Sequence, residues 1–176
     1  MQEKYNYYYD AMEALDLGKI SMAKRLLQKA LDLDIEFIDA YNGLTSVYED
    51  QGNKEMAKKC AGLAFDLTRK MFPNWPKNMH WGELDNRQYL RAICNEAIYL
   101  HEEGRKKEAE SLYKLLLELN PNDNQGVRYL LAALFSGEKP EIVDGLDYEM
   151  SEKLLDEQNK KHKFWNEPEE DMDMEA

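Results

Sequence analysis

Small residues recur in this chain at a fixed interval. Gly18, Ala23 and Ala30 are followed 34 residues later by Gly52, Ala57 and Ala64. Gly104 and Ala109 lie 52 residues beyond Gly52 and Ala57, which is the same period of 34 plus an insert of 18. Between these marks, apolar residues come three and four apart, the spacing of helices that bury one stripe. Such a period predicts a stack of helix pairs, each covering its apolar face against the next.

The pairs can be followed along the chain. Tyr7, Ala11 and Ala14 share a helix face before Gly18; Ile20, Ala23, Leu27, Ala30 and Leu31 line the helix after it. Glycine suits a helix end that turns through the left-handed region, and alanine lets paired helices approach where their ridges cross. Tyr41, Leu44, Val47 and Tyr48 precede Gly52, and Met56, Ala57, Ala61, Ala64, Phe65 and Leu67 follow it, with Pro73 as the stop. A third pair has Tyr89, Ile93, Ala97 and Leu100 before Gly104, then Ala109, Leu112, Tyr113, Leu116 and Leu119. Pro121 ends it, and Asp123 or Asn124 is placed to cap a further helix carrying Val127, Leu130, Leu131, Leu134 and Phe135. The partner of that last helix is stunted at 138–146, and 148–165 reads as a more polar closing helix. Residues 72–84, FPNWPKNMHWGEL, have no period and form the core of the insert.

Composition excludes several classes. The chain of 176 residues has a net charge of −12, and its last ten residues hold six acids and no base. Phosphate backbones are disfavoured, because counterion release needs clustered Lys and Arg. The acidic end, 167–176, lacks the apolar area to offset ordering entropy and is expected to be disordered. No apolar run is long enough for a membrane span, and the opening MQEKYNYYYD does not read as a secretory signal. Cys60 and Cys94 have no His partner at metal spacing, and free thiols point to a cytoplasmic location.

These residues resemble the tetratricopeptide repeat. Tyr7, Ala11, Ala23, Leu27 and Ala30 match its pattern of large and small positions. So do Tyr41, Thr45, Tyr48, Ala57, Ala61 and Ala64, and again Ile93, Ala97, Leu100, Ala109, Tyr113 and Pro121. The resemblance covers about 4–136. Trp81, NRQYLRA at 86–92 and LNPNDNQGVRYLL at 119–131 also look like a small bacterial group of such repeats without assigned chemistry. The implied fold is all-α: a right-handed α-solenoid of antiparallel helix pairs, with three units, a half unit and a capping helix. One solenoid domain is expected over 1–166, with units at about 4–37, 38–71, 90–123 and 124–137, an insert at about 72–89 and a cap at 138–165.

The resemblance also implies a concave groove lined by the first helix of each pair. Its positions here are Tyr5, Tyr8, Tyr9 and Met12, then Asn42, Ser46 and Glu49, then Arg91, Cys94, Asn95 and Ile98, and last Gln125, Arg128 and Tyr129. Tyr and Arg are common interface anchors; tyrosines also serve as half-exposed packing, and Arg128 sits in a stretch that reads equally as a cap. Five related positions hold a carboxylate terminus in chaperone-binding repeats. They are Tyr8, Met12, Gly43, Arg91 and Asn95 here, and one cation among them does not make that clamp.

No enzyme motif is present. There is no phosphate-binding glycine loop and no nucleophile elbow, and His101-Glu102-Glu103 lacks the second histidine of a zinc helix. No catalytic residue, cofactor or metal is expected. Two readings of different class remain. One is an adaptor that holds a peptide or helix of a protein partner in the groove. The other is a self-associating assembly module, a homo-oligomer, with the tryptophans or the stunted cap as contact. A basic and aromatic stretch, Lys160, Lys161, Lys163, Phe164 and Trp165, could touch a membrane, or it could simply end its helix.

Overall fold

The structure is a computed structural model that describes residues 2–166. The expected acidic tail, 167–176, lies outside the described residues. Among these the chain forms helices and no strands. The first pair is α1 (Gln2–Asp16) and α2 (Ile20–Leu33), and the second is α3 (Ile38–Asp50) and α4 (Lys54–Met71). The third pair is α5 (Arg87–Glu102) and α6 (Lys106–Leu119). Then come α7 (Val127–Ser136), the single turn α8 (Ile142–Gly145) and α9 (Tyr148–His162). From α1 to α8 each helix packs on its neighbours in sequence, α9 packs on α7, and α3 and α5 also touch. This is the α-solenoid of helix pairs that the period implies.

The recurring glycines build recurring caps. Gly18, Gly52, Gly104 and Gly137 all have φ between +67° and +84°. At each, the next N–H reaches back five residues: Lys19 to Ala14 O, Asn53 to Tyr48 O, Arg105 to Leu100 O and Glu138 to Ala133 O, at 2.8, 2.8, 2.9 and 3.0 Å. This is the six-to-one bond of a helix end whose turning residue is left-handed, and it satisfies a carbonyl the helix leaves free. The recurring alanines are where the helices cross: Ala11, Ala23, Ala30, Ala57, Ala61, Ala64, Ala97 and Ala109 are fully buried or nearly so. One large cluster of buried residues belongs to the first two pairs and a second to the third pair and the cap. Ile38, Tyr41, Ala64 and Ala92 join them at the seam.

The insert folds down onto the third unit. The Met79 side chain is buried, and its N–H donates to Leu119 O at 2.6 Å. Trp81 N–H donates to Asn120 Oδ1 at 3.3 Å. The Trp81 ring lies under two guanidinium groups, Arg87 at 5.2 Å and Arg91 at 5.4 Å. Phe72 stacks against Trp75 and meets Tyr89 edge-on. Both tryptophans of the insert are therefore half-buried against the third unit. A 3-10 turn, Leu84–Asn86, leads directly into α5, which starts at Arg87, ahead of the expected unit boundary near 90.

The far end closes through side chains. α9 packs on α7, and its Leu155 and Gln158 are buried. After Lys163 (φ 49°) the chain doubles back, and Asn159 Oδ1 accepts from both Phe164 N–H and Trp165 N–H at 3.0 Å. Phe164 packs on Phe135, and Arg128 lies 4.8 Å above the Trp165 ring. The aromatic half of the basic stretch is thus partly buried against α7. Residues 138–146, here the strap, cross back over α5. His101 Nε2 donates to Glu138 O at 2.9 Å, so its Nδ1 accepts from the Tyr113 hydroxyl at 3.3 Å.

Candidate binding groove

The first helices of the second, third and fourth units line a groove of about 840 Å³. Its floor is α5. Arg91, Asn95, Ile98 and Glu102 follow one another at three- and four-residue steps and share one face. Glu49 at the end of α3 forms one wall, and Gln125, Tyr129 and Leu130 at the start of α7 form the other. Trp81 of the insert stands at the N-terminal end of α5. The strap closes the C-terminal end with Pro140, Glu141, Val143 and Asp144.

Charge is unevenly spread. At the strap end Lys54 Nζ lies 3.7 Å from both Glu102 and Glu141. Glu49 accepts from the Tyr99 hydroxyl at 2.7 Å. Burial raises the Glu102 carboxyl, with Lys54 opposing. At the other end the Arg91 guanidinium lies over the Trp81 ring and beside Tyr8 and Asp39. Burial pushes the Asp39 carboxyl up to about 6 although Arg91 pulls it down, and burial pushes the Tyr8 hydroxyl up to about 12. Arg91 makes no ion pair within 4.0 Å among the described residues.

Half of the expected groove residues meet in this cavity: Glu49, Arg91, Cys94, Asn95, Ile98, Gln125 and Tyr129. Cys94 contributes only an edge, being 7% exposed, and burial holds its thiol up at about 12. Asn42 does not open onto the groove. It is 6% exposed, its Nδ2 donates to Gln88 O at 2.9 Å and its Oδ1 accepts from Asn95. It stitches α3 to α5, because a polar side chain buried at a helix seam must find partners.

The tyrosines do not line this cavity, although Tyr8 reaches Arg91 at its end. Tyr5 and Tyr8 set their edges against Phe37, at 5.1 and 5.8 Å between ring centres. Met12 packs into the first core cluster; Tyr9 is 63% exposed and leans on Tyr8. Ser46 is exposed outside the cavity. Arg128 is turned away from the groove toward Asp123, Tyr129 and Trp165. Its main work is local: Asp123 accepts from Val127 N–H and Arg128 N–H and caps α7.

Trp81, Lys54, Tyr99, Glu102 and the strap also line the cavity. None stands at a first-helix position counted from the period. Glu102 and Tyr99 carried a signal, lying one turn beyond Ile98 and Asn95 respectively on α5; the insert and strap carried none. Among the described residues, no group of three or more His, Cys, Asp or Glu side chains is arranged to hold a metal ion. No helix among them is long and apolar enough to cross a membrane.

Comparison with known proteins agrees with the fold. The tetratricopeptide repeat family model matches residues 38–71 and 90–123. A curated relative, the TPR repeat-containing protein YpiA of Bacillus subtilis (strain 168), is 31% identical over 146 aligned positions. The alignment covers 67% of this chain and 32% of that protein, so the chain spans about a third of the relative's length. Two matched repeats, a third glycine-and-alanine helix pair ahead of them and the stacked-pair architecture agree: the chain belongs to the tetratricopeptide-repeat family.

Proposed function

We propose that this chain is an interaction scaffold that holds a peptide or helical segment of a protein partner in the groove over α5. Tetratricopeptide repeats mediate protein–protein contact in general, and they typically act as scaffolds without chemistry of their own. The observation that carries the reading here is the cavity of about 840 Å³ with Ile98, Leu130 and Val143 as an apolar strip and polar groups on both rims. Recognition sites tend to have this form, an apolar floor with a few placed polar groups. The net charge of −12 favours protein over nucleic acid as occupant.

Site-specific photocrosslinking tests this. A benzophenone side chain replaces Ile98 in the groove or Leu63 on the exposed face of α4. Irradiation in cells is expected to give a discrete product from position 98 that is absent from position 63. Equal products from both positions refute groove binding. A position-98 product made of two copies of this chain replaces the adaptor with the self-assembly reading.

A further inference from the structure

The groove has a sense along its length. Arg91 lies in the second turn of α5 and Glu102 is its last residue, eleven positions apart. At about 1.5 Å per residue the two ends are separated by roughly 16 Å. The strap end presents Glu49, Glu102, Glu141 and Asp144 with Lys54 as the one cation of the lining there. That leaves three negative charges in excess when all are ionised, four acids against one base. The opposite end presents Arg91, half-buried, over the Trp81 ring at 5.4 Å, beside Tyr8 and Asp39 but without a salt bridge within 4.0 Å among the described residues. The backbone dipole of α5 has the same sense, positive toward Arg91 and negative toward Glu102. Between the ends lie Ile98 and Leu130, and Val143 of the strap adds apolar surface where the acidic end begins.

We propose that the groove selects a charge-polarised protein segment: basic side chains at the strap end, an apolar middle, and a carboxylate on Arg91 about 16 Å away. This rests on the groove reading above and names the chemistry of its occupant. Lys54 reaches Glu102 and Glu141 only at 3.7 Å and is largely exposed, so an incoming guanidinium or ammonium can take its place. A guanidinium already placed by Trp81 and Tyr8 loses little freedom on gripping a carboxylate, and its planar fork suits a two-point grip. Complementary ends also orient the segment, since a reversed one sets acid against acid.

Selection from a displayed library of random twelve-residue peptides on the full chain reads this directly. Binders that also bind Ile98→Glu are discarded, which leaves those that need the groove. The expected set carries Lys or Arg at one end and Asp or Glu at the other. A chosen member loses about tenfold in affinity with Arg91→Gln and again with the pair Glu102→Gln and Glu141→Gln, the size of one charge-assisted contact. The same selection on Arg91→Glu is expected to yield segments that are basic throughout. Groove-dependent binders with no charge order, or with affinities that ignore both sets of variants, overturn the polarity and leave groove binding standing. No groove-dependent binder at all removes both. Far-UV circular dichroism on each variant confirms that the helices are retained, and Arg91→Lys is expected to restore only part of the loss.

Discussion

Removing the Asp123 carboxylate tests how the last unit is attached. The residue has φ 48°, and its side chain is 1% exposed. One oxygen accepts from Val127 N–H at 2.6 Å; the other accepts from Arg128 N–H at 3.0 Å and from the Arg128 guanidinium at 3.3 Å. Gly126, at the usual capping position of α7, has no side chain to do this. In Asp123→Ala the Val127 N–H is left buried without an acceptor, which costs about 1–3 kcal/mol. Alanine in the left-handed region adds about 1 kcal/mol. Arg128 is partly exposed and recovers water, and release of a buried carboxylate offsets some of the loss, since burial already raises the Asp123 carboxyl. The net expectation is a loss of about 3 kcal/mol, or roughly 6–12 °C in melting temperature for a chain of this size. Asp123→Asn keeps one acceptor and tolerates the backbone, so it should fall between the two.

Location matters as much as size. A solenoid is held by neighbour contacts, so the loss should stay near its origin. Amide exchange is expected to quicken across α7 to α9 while α1 to α4 keep their protection. A melting temperature within about 2 °C of the parent protein, below the roughly 6 °C lower bound, would refute the capping argument. Equal loss of protection in α1 to α4 would refute the neighbour-only picture.

Two further outcomes follow from the geometry. Gly62→Ala is expected to stabilise by about 0.5–1 kcal/mol, since its Cβ meets nothing nearer than Glu96 Oε2 at 3.8 Å. Gly43→Ala is expected to lose about 1 kcal/mol, because its Cβ would stand 2.9 Å from a buried Leu27 methyl and 3.0 Å from Met12 Cε. Urea titrations giving both changes the same sign would sink that contrast. The Asp39 carboxyl, faced by Arg91, Lys4 and Asp85, is pushed up to about 6 in the fold. The native state therefore holds a proton there that the unfolded chain releases, and this contribution to stability grows as pH falls from about 6 toward the unfolded value near 3.9. Asp39→Asn, a permanent mimic of the neutral form, should be the more stable protein at pH 7.5 and lose that advantage by pH 4. A melting difference that does not change with pH removes the argument. His101 acts in the opposite sense: burial lowers it, so its contribution is present above about 6.5 and lost below.

Much of this architecture was legible from spacing alone. Gly18, Gly52 and Gly104 mark their turns because each repeats one backbone solution, and Ala23, Ala57 and Ala109 mark helix crossings for the same reason. Asp123 was legible as a cap because its chemistry acts within five residues. Half of the groove was legible because α5 and α7 keep their helical register. Asn42 was not, since facing Gln88 and Asn95 depends on how tightly α3 meets α5. The packing of Tyr5 and Tyr8 was not, since it depends on Phe37 arriving from the turn before α3.

What the sequence alone determined is the part that repeats: helix pairs, their caps, their close crossings and their order. Neighbour contacts recur with the period, so they are written at fixed offsets. The tertiary structure decided everything that happens once. Met79 meets Leu119, Trp81 settles under Arg87 and Arg91, and the strap swings across α5 on His101 to close the groove beside Glu102. Met79 and Leu119 are 40 residues apart and His101 and Glu138 are 37, whereas Trp81 is 6 and 10 from its two arginines. None of these spacings follows the period; the contacts exist because the insert and the stunted last unit each have apolar surface to bury and one place to bury it.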